Sequence, residues 1–597
     1  MSRSKSSPAR KSTSARRWSK PFIAGALLLA LGAGAAWISF WKRPASEEYK
    51  PQPPRTLTFN KSIAPVIFEN CAACHRPNGS GPFPLLSFAE VKKHARQIGE
   101  VTQTRYMPPW LPEPGDRKFA GERRLSVQQI GMIQQWLAEG AVEGASEDLP
   151  PIPKWREGWQ LGTPDLVVTM PKAYALSAAG KDVYRNFVIP IPLSERRFVK
   201  AVEFRPGSRT VHHAFFLFDR THRVRRLEKE AEPGFPGMSL PEGAFSPPGQ
   251  FLGWQPGRLP SVIENMAWTL EPDTDLIFQL HMQPSGKPEP VQASLAFYFT
   301  DAPSSRTLVK VGLRNLGIDI PAGARNHVVE DVFTVSADAD VLALSPHAHY
   351  LGDELQGLAT LPDGTKKRLL LIKHWDFKWQ NDYRFETPVF LPKGSIVTMR
   401  YSFDNSTNNV RNPNHPPKRV QYGLQTTDEM AELWLQLELH NRSDLPVIEK
   451  SLFAKAVKQT LAFNAYRLRL NPNDAEAHTR LGEAFFSSGN RIEAFQHFRT
   501  AAQLDPNYDE PHYQLGLMFR VDNQLDRARQ EFETALRLNP ENAKAHGNLG
   551  FIFASLGSLA EAESHLQNAL ELNPSDSIAS NALAEVQRAR RTASPQK

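Results

Sequence analysis

The stretch VHHAFFLF, residues 211–218, is a short apolar run headed by two adjacent histidines. Runs of the same texture recur from about Pro164 to residue 440. They include LVVTM (166–170), VYRNFVIPIP (183–192), DLIFQLHM (275–282), SLAFYFT (294–300), VLALSPHAHY (341–350), SIVTMRYSF (395–403) and AELWLQLEL (431–439). Pro, Gly, Asp and Asn separate them, and 49 Pro and 36 Gly in the whole chain fit a large β-rich portion. Many short strands with regular turns predict antiparallel sandwiches. The region is too long for one small sandwich, so it is divided near residue 300 into domains at 164–300 and 301–445.

Outward from this centre the texture changes on both sides. Towards the C-terminus, Pro472, Pro506, Pro540 and Pro574 keep one period, as do Leu481/Leu515/Leu549, Gly482/Gly516/Gly550 and Ala494/Ala528/Ala562. That period is 34 residues, and it resembles the tetratricopeptide repeat. Residues 471–597 are therefore expected to form an α-solenoid of three repeats and a partial fourth around Leu583, reached through a connecting helix at 446–470. The array is expected to dock a protein partner and to carry no chemistry.

Towards the N-terminus, residues 148–163 read as a linker and 57–147 as a small all-α domain, ending in LSVQQIGMIQQWLAEGA with Gly140 as a stop. Residues 42–56 (KRPASEEYKPQPPRT) form a Pro-rich spacer. Before it, Phe22–Trp41 is twenty residues without a charge, enough to cross a bilayer as a helix. Residues 1–20 form a basic tail with seven Lys and Arg and no acid, which orients a transmembrane anchor at 21–41 with everything after Trp41 on the extracytoplasmic, periplasmic side. A cleaved signal peptide is the other reading, since GAGAA at 32–36 offers small residues. The tail also accounts for nearly all of the net charge of +8. The folded part is close to neutral, which argues against nucleic-acid binding.

The 597 residues hold only two cysteines, Cys71 and Cys74, in Cys71-Ala-Ala-Cys74-His75. C-x-x-C-H reads as c-type haem attachment: two thiols add to the vinyl groups and the adjacent imidazole reaches the iron. A zinc site would want a second Cys/His pair, and a redox dithiol a βαβ context. Met107, in the Pro-flanked Tyr-Met-Pro-Pro-Trp, is the candidate sixth ligand, with His94 as its rival. With RYMPPW and the terminal QQWLAEGA helix, the segment resembles a small class I cytochrome c domain, in which a Met so presented is the usual sixth ligand.

Five histidines stand in strand contexts: His212, His213, His281, His347 and His349. On a strand, His347 and His349 point to one face and can chelate one metal. His212 and His213 would be split across the sheet unless the strand bends, for which Pro206 and Gly207 are at hand. Imidazole suits Cu, Zn, Fe or Ni, whereas a thioether such as that of Met430 selects soft Cu(I).

VHHAFFLF, QLHMQPSG, SPHAHYLG and TTDEMAELWL occur in the order found in the copper type II, ascorbate-dependent monooxygenases, and residues 164–440 resemble that family. The resemblance implies two jelly-roll sandwiches facing each other across a solvent-filled cleft. It implies an electron-transfer copper on His212, His213 and His281, and an O2- and substrate-binding copper on His347, His349 and Met430. It departs from the family's animal members in having no Cys in this region. Ser345 and Trp434 stand where the peptide-hydroxylating enzyme holds its substrate carboxylate with Arg and Tyr, so a glycine-extended peptide is not the expected substrate. The whole is expected to be a multidomain, membrane-anchored copper monooxygenase with covalent haem c and two copper ions, fed by an exported electron donor. The alternative is an electron-transfer or copper-handling protein that does not hydroxylate.

Overall fold

The computed structural model describes residues 48–593 apart from positions 78, 230, 239, 259, 261, 263, 264 and 575. The expected anchor at 21–41 lies outside the described residues. Among those described, no helix is long and apolar enough to cross a membrane.

The N-terminal segment is helical, with helices Ala64–Asn70, Phe88–Lys93, Ala95–Gln103 and Val127–Ala138. Ser87 with Glu90, and Ser126 with Gln129, form reciprocal capping boxes that start two of them. Gly140, at φ +95°, follows the last helix in the left-handed conformation a glycine adopts without strain. Phe59, Ile63, Ile67, Ile133 and Trp136 close the core.

Two β-sandwiches follow. In the first, one sheet orders Leu166–Thr169, Ser294–Thr300, Arg197–Arg205 and Trp268–Leu270. The other orders Phe235–Pro236, Val183–Pro190, Asp275–Met282, Val211–Asp219 and Ala244–Phe245, with Gly253–Trp254 added beside Val211–Asp219. Phe187, Phe204, Phe216, Phe278 and Phe297 fill the space between the sheets. In the second sandwich Thr307–Arg314, Ala431–Leu439, Ala339–Ala348 and Tyr383–Leu391 face His327–Thr334, Ile396–Phe403, Gly352–Thr360 and Lys366–Ile372. Leu344, Leu355, Met399, Tyr401 and Leu433 are among the residues of its core.

The helical segment is tied to both. Residues 110–120 run along the second sandwich: Glu113 N–H donates to Leu371 O at 2.6 Å and Ala120 N–H to Arg384 O at 2.7 Å, while Trp110 and Phe119 enter its core. On the first, Arg123 Nη1 donates to Gly257 O at 3.2 Å. The long helix Leu445–Leu470 lies against the second sandwich and leads into three antiparallel helix pairs and a single last helix, Ser577–Ala593.

Candidate metal centres

The strands Val211–Asp219 and Asp275–Met282 pair antiparallel, with His281 opposite His213 and Met282 opposite Val211. His212 is thus the extra residue of a β-bulge, which turns both adjacent imidazoles to one side of the ladder. The bend lies at His212 itself and not at Pro206–Gly207. As a result His213 Nδ1 is 3.4 Å from His212 Nδ1 and 3.2 Å from His281 Nδ1. Asp182 Oδ2 accepts the Nε2 proton of His281 at 2.7 Å, which leaves the Nδ1 lone pair directed at the cluster. Tyr184, opposite His281 on its other side, stacks on that ring at 4.3 Å. Burial lowers His212 to about 4 and His213 well below the ordinary imidazole value, so both are in the neutral form that binds metal.

In the second sandwich His347 lies opposite Glu432 and Ala348 opposite Ala431. Continued by one residue, the register sets Met430 opposite His349, on the face His349 shares with His347. The two rings are 5.1 Å apart. His349 Nδ1 donates to Asp428 O at 3.1 Å and His347 Nδ1 to Gln380 Oε1, so both present Nε2. Burial lowers His349 to about 3. Glu429, fully buried, accepts the backbone N–H groups of His349, Leu351 and Met430, the last two at 2.9 and 2.8 Å. One carboxyl therefore holds together the two segments that carry this ligand set. Burial pushes it up to about 8 despite those bonds.

The clusters do not face each other across open solvent, as the family resemblance implies. Residues 377–380 fill the space between them. The Phe377 ring is 5.7 Å from His213 and 5.6 Å from His349, and Gln380 Nε2 reaches His213 Nε2 at 3.2 Å while its Oε1 takes the His347 proton. A large cavity, about 1720 Å³, opens elsewhere, between both sandwiches and the helical segment. Cys74, Arg123, Trp254, Arg258 and Arg384 line it.

In the helical segment Cys71 caps the helix Ala64–Asn70, and burial with the neighbouring Cys74 pushes its thiol up to about 12. His75 Nδ1 donates to Phe83 O at 3.0 Å, freeing Nε2, the orientation a haem-ligating imidazole needs. His94 stacks on the Phe83 ring at 3.7 Å. Met107 stands where the helix Ala95–Gln103 hands over to the segment on the second sandwich, its N–H donating to Val101 O at 3.0 Å. Asp182, Tyr184, Phe377, Gln380 and Glu429 escaped the sequence reading. Phe377 and Gln380 lie in HWDFKWQNDYRF (374–385), a segment that shares in the family resemblance, and Glu429 lies beside Met430 in TTDEM, but no role was legible for any of the five.

Tetratricopeptide-repeat family models match residues 475–508 and 513–577, and the C-terminal array is built of these repeats. No curated protein sequence matches the chain. Among solved structures, the first tetratricopeptide repeat domain of Spaghetti (RPAP3), bound to the HSP90 peptide SRMEEVD, is similar at 23% identity and a TM-score of 0.19. It covers 20% of this chain and 93% of that one.

Proposed function

We propose that this chain is a membrane-anchored, exported oxidoreductase with one covalent haem c and two copper ions, acting as an O2-dependent monooxygenase. The observation that carries the reading is the bulge at His212, which brings a ring nitrogen from each of His212, His213 and His281 within 4.8 Å of one another, near the His347, His349 and Met430 face. These donor sets fit copper, being three imidazoles in one place and two imidazoles with a thioether in the other. The C-x-x-C-H and the freed His75 Nε2 fit haem, with Met107, in its Pro-flanked loop, as the sixth ligand. Bound copper supplies one-electron chemistry and a place for O2, and bound haem supplies one-electron carriage from an exported donor.

The proposed reaction is RH + O2 + 2 e⁻ + 2 H⁺ → ROH + H2O. Asp182 fixes the tautomer of His281, Asp428 O that of His349, and Glu429 spaces His349 from Met430. Ser345 and Trp434 sit opposite each other in the ladder, one step along the same face as His347. A peptide carboxylate would find no Arg or Tyr at these two positions, so the substrate belongs to another class. The repeats are proposed to dock a protein partner.

A second reading, copper handling or electron transfer without hydroxylation, is favoured by the filling of the space between the clusters by Phe377 and Gln380. Metal analysis with oxygen uptake on the wild type, Met430→Ala and His347→Ala decides. Loss of copper and of reductant-dependent uptake in both variants is expected. Full copper and haem without oxygen uptake in the wild type selects the second reading, and unchanged copper in both variants rejects the ligand assignment.

A further inference from the structure

The tetratricopeptide pattern runs W-x-x-L-G-x-x-Y…A-x-x-x-F. Here an imidazole takes the Trp position in each repeat: His478 before Leu481-Gly482, His512 before Leu515-Gly516 and His546 before Leu549-Gly550. Each faces a residue on the second helix of its own repeat, just before the Phe or Leu position: His497, Glu531 and His565. In the first repeat His478 Nδ1 and His497 Nδ1 are 2.9 Å apart, and in the third His546 Nδ1 and His565 Nδ1 are 3.0 Å apart.

The remaining contacts of these rings repeat as well. His478 Nε2 donates to Pro472 O and His546 Nε2 to Pro540 O, both at 3.2 Å. A carbonyl only accepts, so the single proton of each neutral ring is on Nε2 and its Nδ1 lone pair faces the partner. The partner rings are held flat by Phe485 on His497 (5.5 Å, 12°) and Phe553 on His565 (5.4 Å, 12°). All four rings are half-buried, open enough for an ion to enter. Burial keeps His497, His546 and His565 below the ordinary imidazole value, in the neutral form a metal requires.

We propose that the His478/His497 and His546/His565 pairs are two chelating sites for a divalent transition-metal ion of the zinc, nickel or copper class. Without metal, the partner ring donates its Nδ1 proton across the gap. With its proton moved to Nε2, two lone pairs converge on one ion, and water completes the coordination. Two imidazoles on one tetrahedral ion at about 2.0–2.1 Å stand roughly 3.3 Å apart, so each pair opens by a few tenths of an ångström. The middle repeat is different. His512 Nδ1 lies 2.7 Å from Glu531 Oε2, a charge-assisted bond that holds the His512 proton on Nδ1 more firmly than a neutral imidazole acceptor does, so this pair gives up that proton to an ion less readily.

The test is Ni2+ binding to the full chain, whose other metal-binding side chains are common to every variant. The wild type is expected to bind two more equivalents than His497→Phe/His565→Phe. Glu531→His, which gives the middle repeat the same pair, is expected to bind one more than the wild type. Should the double variant unfold, the gain in Glu531→His decides alone. Equal stoichiometry in all three proteins overturns the proposal and leaves the pairs as hydrogen bonds.

Discussion

Glu429 accepts three backbone N–H groups in a place water does not reach. Glu429→Ala leaves all three without an acceptor, and a buried unpaired donor costs about 1–3 kcal/mol. The second sandwich is expected to lose about 3 kcal/mol or more in urea unfolding. A loss under about 1 kcal/mol would show that the carboxyl is no clamp. Gln380 poses a different problem. When His213 ligates through Nδ1 and His347 through Nε2, their other nitrogens both carry protons and both face one amide, whose single oxygen accepts from one of them well. Gln380→Glu offers an acceptor to each. With both sites loaded, it is expected to bind the second copper equivalent about tenfold more tightly, a gain of about 1.4 kcal/mol and in the range of one charged hydrogen bond. Copper titration with the wild type alongside reads this directly, and identical isotherms would dissociate Gln380 from metal loading.

The strand Asp275–Met282 delivers His281 to the first cluster, and its start is anchored from outside the sheet. Buried Asp275 pairs with His222 Nδ1 at 2.9 Å and with Arg225. The hydrogen bond to Asp275, and after it that to Asp273, raises His222 above its ordinary value. A base raised on folding adds stability that is complete below its unfolded value of about 6.5 and disappears as pH climbs through the folded one. The urea-midpoint advantage of the wild-type first sandwich over His222→Gln is therefore expected to shrink between pH 6 and 8, a difference in which the opposite slope from the lowered His212 and His213 cancels. A constant difference would remove His222 from the account. Elements differ in how plainly sequence announces them. The repeats are legible because stacked helix pairs need the same small or apolar residue every 34 positions. Alternating apolar runs announce strands, but the bulge at His212 depends on pairing with a strand 68 residues away. For the same reason Asp182 and Gln380 reach the histidines only through tertiary folding, and no spacing rule marks them.

At the scale of the molecule, the helix Leu445–Leu470 bridges the second sandwich and the first repeat helix, Ala475–Ser487. Ile448 is fully buried in that sandwich's core, Lys455 Nζ bonds Asp331 Oδ2 at 2.5 Å, and Gln459 donates to Arg314 O at 2.9 Å. The repeats themselves touch the first sandwich lightly. Arg226 donates to Glu571 O at 3.0 Å and Lys544 Nζ lies 3.1 Å from Glu242 Oε1, both exposed. An exposed ion pair is worth about 0–1 kcal/mol and a single hydrogen bond about 0.5–1.5 kcal/mol, too little to hold a domain in shape. Two truncations with different expected outcomes follow. Ending the chain after residue 470 is expected to leave the unfolding of both sandwiches, and the chain's uptake of haem on the helical segment and of copper on the sandwiches, as in the full protein. Ending it after residue 444 uncovers Ile448 and strips Asp331 of Lys455 and Gln459; burying one such aliphatic side chain alone is worth about 1.5–3 kcal/mol. That shorter chain is expected to show a lower urea midpoint for the second sandwich and weaker copper retention at His347, His349 and Met430. Equal losses from the two truncations would mean that the solenoid braces the β region, and that the boundary between body and docking tail lies before residue 445.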